Sequence, residues 1–376
     1  MSEIKKISPE QFKPVALNLS EQEKFSRPSL TFWQDARVRL FQNKGAVIAM
    51  FMLLFILFMA AFGPMMNPYS YDQQIQPLKA HSKLPPRVPG LEKIGFLDGT
   101  KEIEMGQNRL ALYKEGEYEL LKEYSVIDEA GNQVVRYNIK EFSYIKNGIE
   151  DEYFWFGTDD LARDMWTRIW RGTRVSLYVG VLAAIIDFMI GVTYGSIAGF
   201  YGGRIDMVMM RITEIIGGIP WLVIVIIFIM ILGSGLFSMS LAIAFGGWIG
   251  MARVVRAQFL KIRGQEFVMA ARTLGTSNAD LIRRHLIPNV IGQIIIMITF
   301  SIPGAIFAEA FLSFIGLGIP APNASLGSVV NDSRAFLRFQ PSMVFIPSTV
   351  LSVLMLSINI FANGLRDALD PRMRNN

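Results

Sequence analysis

The chain has 376 residues, of which 51% are hydrophobic, with a net charge of +5 and a mean hydropathy of +0.34. Its basic residues cluster beside long apolar runs instead of forming one basic surface, which argues against nucleic-acid binding. The absence of cysteine excludes disulfides, thiolate metal sites and thiol nucleophiles. Several apolar runs reach the roughly 20 residues that a helix needs to cross a membrane, so the composition predicts an integral membrane protein.

The amino-terminal segment 1–44 is polar, so it is predicted to contain no signal peptide and to be cytoplasmic. The apolar run over 45–66 predicts a first transmembrane helix, which glycine and proline residues end.

Polar sequence follows over 67–155. Within it, apolar and polar residues alternate between turn signals at Gly116 and at 130–132, which predicts a small β-rich insert.

Residues 156–174 place apolar and basic side chains at near-helical spacing on opposite sides of a helix. This pattern predicts an interfacial amphipathic helix that lies along the membrane surface. The apolar set is Leu161, Met165, Trp166, Ile169 and Trp170, and the basic set is Arg163, Arg168, Arg171 and Arg174.

Five further spans are predicted within a core over 175–365, which gives six transmembrane helices in total. Their predicted bounds are 175–199, 207–232, 237–255, 288–317 and 343–365. The predicted fold is therefore an all-α polytopic membrane protein with a small β-rich extracellular insert between the first two spans.

The distribution of lysine and arginine predicts the orientation of these spans. Basic residues occur in the amino-terminal segment, in the loop 201–206, in the segment 253–284 and in the tail 366–376. Both termini are therefore predicted to be cytoplasmic and the insert extracellular. The four arginines before the second span would then lie outside, which is compatible because long translocated loops are largely exempt from the charge rule.

The polar segment 256–288 contains a pattern of small residues. Ala270, Ala271 and Gly275 fall on neighbouring turns of one predicted helix, where small side chains let another surface approach closely, and Gly275 can end that helix. The alternative is an ordinary basic loop between two spans, and spacing alone does not separate the two interpretations.

A second helix is predicted to start within the same segment. Ser277, followed three residues later by Asp280, has the spacing of a capping box. Pro288 suits the first turn of the fifth span, where its missing N–H costs nothing. The pattern therefore predicts a short helical hairpin.

The stretches "MAARTLG" and "RRHLIPN" resemble the EAA loop of permease subunits of ATP-binding-cassette (ABC) importers. Residues that match the pattern are Ala270, Ala271, Gly275 and Pro288. Residues that depart from it are Met269 in place of the glutamate, His285 in place of an isoleucine and Ile287 in place of a leucine. Further blocks, beginning "FGTDDLARDMW", "AGFYGGRIDMV" and "NGLRDALDPRM", resemble the C-type permease of oligopeptide and dipeptide importers, whose typical members have a shorter external loop than the insert.

The resemblance implies a heterodimer with a second, related permease, two cytoplasmic ATPase subunits and an extracellular peptide-binding protein, in a prokaryotic plasma membrane. The implied ATPase-coupling residues are Ala270, Ala271, Arg272, Gly275 and Pro288. ATP and magnesium would be bound by the ATPase subunits. No Gly-Lys dipeptide and hence no phosphate-binding loop lysine occurs in the chain, so no cofactor and no enzymatic activity are expected for it.

Three carboxylates are predicted at membrane depth, where a charge is costly without a partner or water: Asp187, Glu214 and Glu309. Each is a candidate for the translocation pathway, and Glu309 is the first choice. The alternative is a structural ion pair or hydrogen bond, and Glu214 can pair with Arg211 on one helix face. The histidines are isolated, so no metal site is predicted.

Other functions stay open at this point. The cargo can instead be a nickel chelate, glutathione or a pheromone peptide, which the sequence does not distinguish. A different class is an ion-coupled secondary transporter in which Asp187 and Glu309 are the coupling carboxylates. The insert is expected to contact either the partner permease or an external binding protein.

Overall fold

The computed structural model describes residues 31–127, 133–320 and 322–370. Five helices of this part are long and apolar enough to cross a membrane, and a bent helix pair meets the same criteria when its two helices are taken together. Helix α1 comprises Phe32–Gln42 and α2 comprises Lys44–Phe62, which a short 3-10 helix extends to Met65. The side chain of Asn43 caps α2 by accepting a hydrogen bond from the N–H of Ala46.

The insert contains the predicted sheet. Its strands are β1 (Thr100–Gly106), β2 (Tyr118–Ile127) and β3 (Gln133–Phe142), and its single-turn helices are α3 (Leu78–His81), α4 (Gln107–Leu110) and α5 (Ser143–Asn147). All pairs are antiparallel in the order β1-β3-β2, so Ile139 lies between Ile103 and Leu120. Gly116 has a φ of +86 in the turn before β2. The turn predicted at 130–132 lies outside the described residues.

A buried carboxylate fixes one end of the sheet. Glu141 on β3 accepts hydrogen bonds from Tyr113 and from Ser143, and forms ion pairs with Lys101 at 3.1 Å and Lys146 at 2.6 Å. Burial raises the pKa of Glu141, but the two ammonium groups and the phenol outweigh it and lower this pKa to about 2. The carboxylate therefore stays ionised and holds β1, β3 and α5 together.

The second span is one continuous helix, α6 (Met165–Tyr201), which corrects the prediction of a separate surface helix over 156–174. The arginines of this stretch face protein partners. Arg163 pairs with Asp159 at 2.7 Å, and Arg168 is buried and contacts Asp332 at 3.0 Å. Because these charges are neutralised inside the protein, they do not place the helix on a headgroup surface, and Asp164 caps the start of α6.

The third span is bent, although the sequence pattern predicts one helix over 207–232. Helix α7 (Gly203–Gly217) and helix α8 (Trp221–Leu232) meet at 81°. Pro220 lies at the break and follows two glycines, and a proline cannot continue the hydrogen-bond ladder of α7. Helix α9 (Leu236–Ile262) then returns along α6.

The rest of the described chain is helical. After α10 (Glu266–Thr273) come α11 (Asn278–Asp280), a π turn over Leu281–Leu286, and α12 (Ile287–Phe314). Helix α13 (Leu326–Ser333) packs on α6, α12 and α14 (Ser342–Leu369). The predicted fifth and sixth spans thus correspond to α12 and α14.

Glycines bring α6 and α9 into close contact. A Cβ added at Gly191 would lie 2.5 Å from Met251 Cβ, and one added at Gly199 would lie 2.6 Å from Phe259 Cβ. Such distances leave no room for any side chain. Small residues therefore set the separation of α6 and α9 in the core.

Candidate coupling segment and cavity

The EAA-like segment folds as a helix with a glycine terminus. Helix α10 ends where Gly275 adopts a φ of +83. The N–H of Thr276 donates to Ala271 O at 3.1 Å, and the N–H of Gly275 donates to Arg272 O at 3.0 Å. Since a left-handed residue with these bonds is a Schellman-type terminus, Gly275 is required for its backbone conformation.

The N-cap half of the capping box predicted after this terminus is present, and the Asp280 carboxylate contacts the Ser277 hydroxyl in place of the Ser277 N–H. Ser277 Oγ accepts from the N–H of Asp280 at 3.2 Å and donates to Asp280 Oδ2 at 2.8 Å. The predicted separate second helix is wrong, because the helical run from Asn278 continues through the π turn into α12. Pro288 lies exposed in the first turn of α12.

The segment packs against the ends of three spans, α6, α9 and α12. Val268 and Ala271 are buried in a cluster with Phe259, Leu281 and Leu286. This cluster joins one face of α10 to α9, to the π turn and, through further members, to α6. Helix α10 therefore moves with the spans on which it packs.

Two arginines fasten the neighbouring turn between α6 and α7. Arg256 Nη2 donates to Asp206 Oδ2 at 2.6 Å, and Arg263 Nη1 donates to the carbonyls of Gly199 and Phe200 at 3.2 Å. These carbonyls lie in the last turn of α6, so the charge is favourable there. The sequence analysis did not predict these arginine contacts. The signal that could have indicated them is the acidic residue in "YGGRID" together with the arginines near the end of α9.

A second face of α10, next to the buried one, is exposed and apolar. We call Phe267, Ala270 and Leu274, which recur at helical spacing, the α10 face. All three are exposed, and Leu274 is 87% exposed. Met269, which replaces the glutamate of the EAA pattern, is exposed beside it, and Arg272 is exposed with its guanidinium 5.7 Å from the ring of Phe200. The segment thus presents an apolar surface on a fixed base.

A cavity of about 440 Å³ lies where α7 and α8 bend, against α9 and α12. Its walls are mainly isoleucines, small residues and one tryptophan. The lining residues are Asp187, Ile216, Gly217, Ile219, Trp221, Ile224, Ile243, Gly246, Gly247, Ile249, Ser301, Gly304, Ala305 and Ala308.

The three predicted intramembrane carboxylates do not come together. Asp187 lines the cavity and is 6% exposed. Glu214 is exposed on α7 and pairs with Arg211 at 2.7 Å, as its spacing predicts. Glu309 is completely buried and is not among the residues lining the cavity.

Glu309 joins three helices. Ser176 on α6 and Ser313 on α12 each donate to its carboxylate at 2.8 Å, and the N–H of Leu326, at the start of α13, donates to Ser176 Oγ at 3.2 Å. Both oxygens of Glu309 are therefore satisfied inside the protein. This geometry is that of a structural carboxylate, whereas the sequence made it the first candidate for the pathway.

We expect Glu309→Leu to lower the thermal unfolding temperature of the purified protein by several degrees. The substitution leaves buried hydroxyls without an acceptor, which costs about 1–3 kcal/mol. Glu309→Gln keeps an acceptor and serves as the matched control, with a smaller shift. An unchanged unfolding temperature for Glu309→Leu would contradict the structural role.

The histidines show no sign of metal ligation. His81 is buried, with Nε2 3.0 Å from Glu152 and Nδ1 3.0 Å from Pro77 O. Among residues 31–127, 133–320 and 322–370, no group of three or more His, Asp or Glu side chains is arranged to hold a metal ion.

Comparison with known proteins identifies the family. Residues 191–375 match the family model of the binding-protein-dependent transport system inner membrane component, and residues 31–86 match the N-terminal transmembrane domain of oligopeptide transport permease C. The oligopeptide transport system permease protein OppC of Bacillus subtilis is 36% identical over 363 residues, which cover 96% of this chain and 97% of that protein. The chain belongs to this permease family.

A second relative agrees with the assignment. The dipeptide transport system permease protein DppC of B. subtilis is 38% identical, over 94% of this permease and 90% of the relative. A solved structure of the MetNI methionine ABC transporter, inward facing, covers 54% of this permease and 96% of that chain, with 18% identity and a TM-score of 0.46. The resemblance to C-type ABC importer permeases is confirmed, and the protein is a membrane-spanning component of a bacterial inner membrane.

Proposed function

We propose that this permease forms half of the translocation pathway of an ABC importer for oligopeptides or dipeptides. Its relatives over nearly the whole chain are named as oligopeptide and dipeptide permeases, which supports the cargo class. The proposed assembly contains a second homologous permease, two ATPase subunits and an external peptide-binding protein. ATP and magnesium belong to the ATPase subunits in this proposal.

The single observation that carries the coupling mechanism is the exposed α10 face on a buried base. An apolar helix face can dock in a groove of a partner, while Val268 and Ala271 transmit its displacement to α6, α9 and α12. Closure of the ATPase dimer on ATP would then move α10 as a rigid body and switch the spans between inward- and outward-facing states. Ala270, Ala271, Arg272, Gly275 and Pro288 are the proposed coupling residues.

The proposal requires α10 and both termini on the cytoplasmic side and the insert outside. The absence of cysteine permits a direct test with single cysteines introduced into the natural chain. We expect Arg272→Cys to react with an impermeant maleimide only after cells are permeabilised. Leu112→Cys, at a position 80% exposed in the insert, is the control and should react on intact cells. Reaction of Arg272→Cys on intact cells would overturn the coupling mechanism.

The cargo is tested by purifying the permease with its associated proteins from native membranes and reconstituting the assembly in vesicles. Added di- and oligopeptides should stimulate ATP hydrolysis and accumulate inside the vesicles. Stimulation by a nickel chelate or by glutathione, with none by peptides, would replace the peptide assignment. Uptake that needs an ion gradient but no ATPase would instead support a secondary transporter.

A further inference from the structure

The cavity at the bend between α7 and α8 contains one charged side chain, Asp187. It lies near the middle of α6, and its neighbours Gly247 and Ser301 lie near the middles of α9 and α12. The cavity is therefore at mid-depth of the bundle, far from both ends of the spans. A charge at this depth is costly unless something neutralises it.

Asp187 is not neutralised by the described part of the protein. Its Oδ1 atom is buried and has no hydrogen-bond partner there, although the hydroxyl of Ser301 is within reach of the carboxylate. The residues that line the cavity include no lysine, arginine or histidine. A buried carboxylate with a free oxygen and an adjoining empty space is an acceptor for a ligand.

The other two carboxylates of the spans show how this chain satisfies an acid that has a structural role. Glu309 accepts a hydrogen bond from a serine hydroxyl on each oxygen. Glu214 is exposed and forms an ion pair with Arg211. Asp187 is the one of these three that combines burial with an oxygen lacking a partner in the described residues. Its surroundings therefore differ from those of a carboxylate that serves packing alone.

Gly247 leaves room for the carboxylate of Asp187. A Cβ added at Gly247 would lie 2.5 Å from Asp187 Oδ2 and 2.6 Å from Oδ1. No side chain other than hydrogen fits between the backbone of α9 and the carboxylate. The glycine thus lets Asp187 reach the wall of the cavity formed by α9, beside Gly246 and Ile243.

We propose that Asp187 binds a primary ammonium group of the cargo in this cavity. The inference rests on the proposed peptide import, in which the group is either the α-ammonium of the peptide or a lysine side chain. An ammonium ion supplies both the charge and the hydrogen-bond donors that Oδ1 lacks. Ile216, Trp221, Ile224 and Ile243 provide apolar surface for the side chain next to that ammonium group. The cavity volume is within the range of small-ligand sites.

The test compares wild type with Asp187→Asn in the complete assembly reconstituted in vesicles. The probes are trialanine, N-acetyl-trialanine and N-acetyl-Ala-Ala-Lys, each at a concentration that saturates the binding protein. The measured quantity is the ratio of variant to wild-type initial uptake for each peptide. Because both assemblies share the same binding protein, its own selectivity cancels in this ratio.

We expect Asp187→Asn to lower trialanine uptake about tenfold or more, as loss of a hydrogen bond to a charged group would, and to change N-acetyl-trialanine uptake less than about twofold. A loss for N-acetyl-Ala-Ala-Lys as well would show that a lysine ammonium also binds. No loss for that peptide would restrict the site to the α-ammonium group. Asp187→Glu should keep part of the trialanine uptake.

Two glycine variants test the geometry without changing the acid. Gly247→Ala should reproduce the selective loss for trialanine, because its Cβ displaces the carboxylate. Gly250→Ala is the matched control on the same helix, where an added Cβ meets no atom within 4 Å, and should behave as wild type. An equal loss for all three peptides in Asp187→Asn, or no loss for any, would overturn the ammonium site while leaving peptide import intact. Failure of the wild-type assembly to take up any of the peptides would instead overturn the proposed function, and this inference with it.

Discussion

Leu274→Asp is expected to separate the permease from its ATPase subunits while leaving the permease folded. Leu274 is 87% exposed at the end of α10 and contributes nothing to the buried cluster beneath the helix. Replacing a large apolar side chain on the proposed docking surface by a charge costs at least about 2 kcal/mol, or roughly 30-fold in affinity. Co-purification with the ATPase subunits and peptide-stimulated ATP hydrolysis should both fall accordingly.

Leu112→Asp is the matched control, because Leu112 is a similarly exposed leucine in the insert. We expect it to retain both the ATPase subunits and stimulation. The more drastic changes Ala271→Asp and Gly275→Trp act differently, since Ala271 is buried and Gly275 requires a left-handed backbone. They should unfold the segment itself. Wild-type ATPase binding by Leu274→Asp would show that the α10 face is not the docking surface.

The sequence predicted those features that depend on local rules. The Ser277 cap, the glycine terminus at Gly275 and the ion pair between Arg211 and Glu214 involve residues within a few positions of one another, so spacing along the chain is sufficient. The spans were equally accessible, because length and hydrophobicity alone decide whether a helix can cross a membrane. The three-stranded sheet followed from alternation of apolar and polar residues.

The structure differs from the predictions mainly where contacts join residues far apart in the chain. Arg168 suggested a surface helix because its partner Asp332, 164 residues away, could not be assigned from periodicity. Glu309 was chosen as the first pathway candidate for its depth in the fifth span, because its hydrogen bond from Ser176, 133 residues away, leaves no signal in the sequence. Its place in the pathway stays a prediction. A helical period gives the face of a residue but not the element that covers it.

The cavity could be predicted only in part. Asp187 was recognised as a charge at membrane depth, because a charged residue inside a long apolar run is visible in the sequence itself. Its distinguishing environment depends on the 81° bend between α7 and α8 and on the approach of Gly247, neither of which leaves a periodic signal. The same glycine-mediated packing governs both the cavity and the core beneath α10, since α6 and α9 are in close contact along most of their length.

Gly195→Val is therefore expected to have the largest effect on folding. An added Cβ at Gly195 would overlap the carbonyl oxygen of Ala252 and lie 2.9 Å from Val255 Cβ, so the obstacle is backbone and a branched side chain on α9. Neither can rotate away. Overpacking of this kind costs about 3 kcal/mol or more, and it would push α6 from α9 along the contact that positions both Asp187 and α10.

The measurement is the yield of monodisperse permease in detergent, together with its thermal unfolding temperature. Gly250→Val is the matched control, because it adds the same side chain to α9 where a Cβ meets no atom within 4 Å. We expect Gly195→Val to lower the yield about tenfold and Gly250→Val to remain near wild type. A stable Gly195→Val protein would mean that the two helices can separate without cost. In that case α6 could not transmit the motion of α10 to the cavity, and the rigid-body account of coupling would have to be replaced.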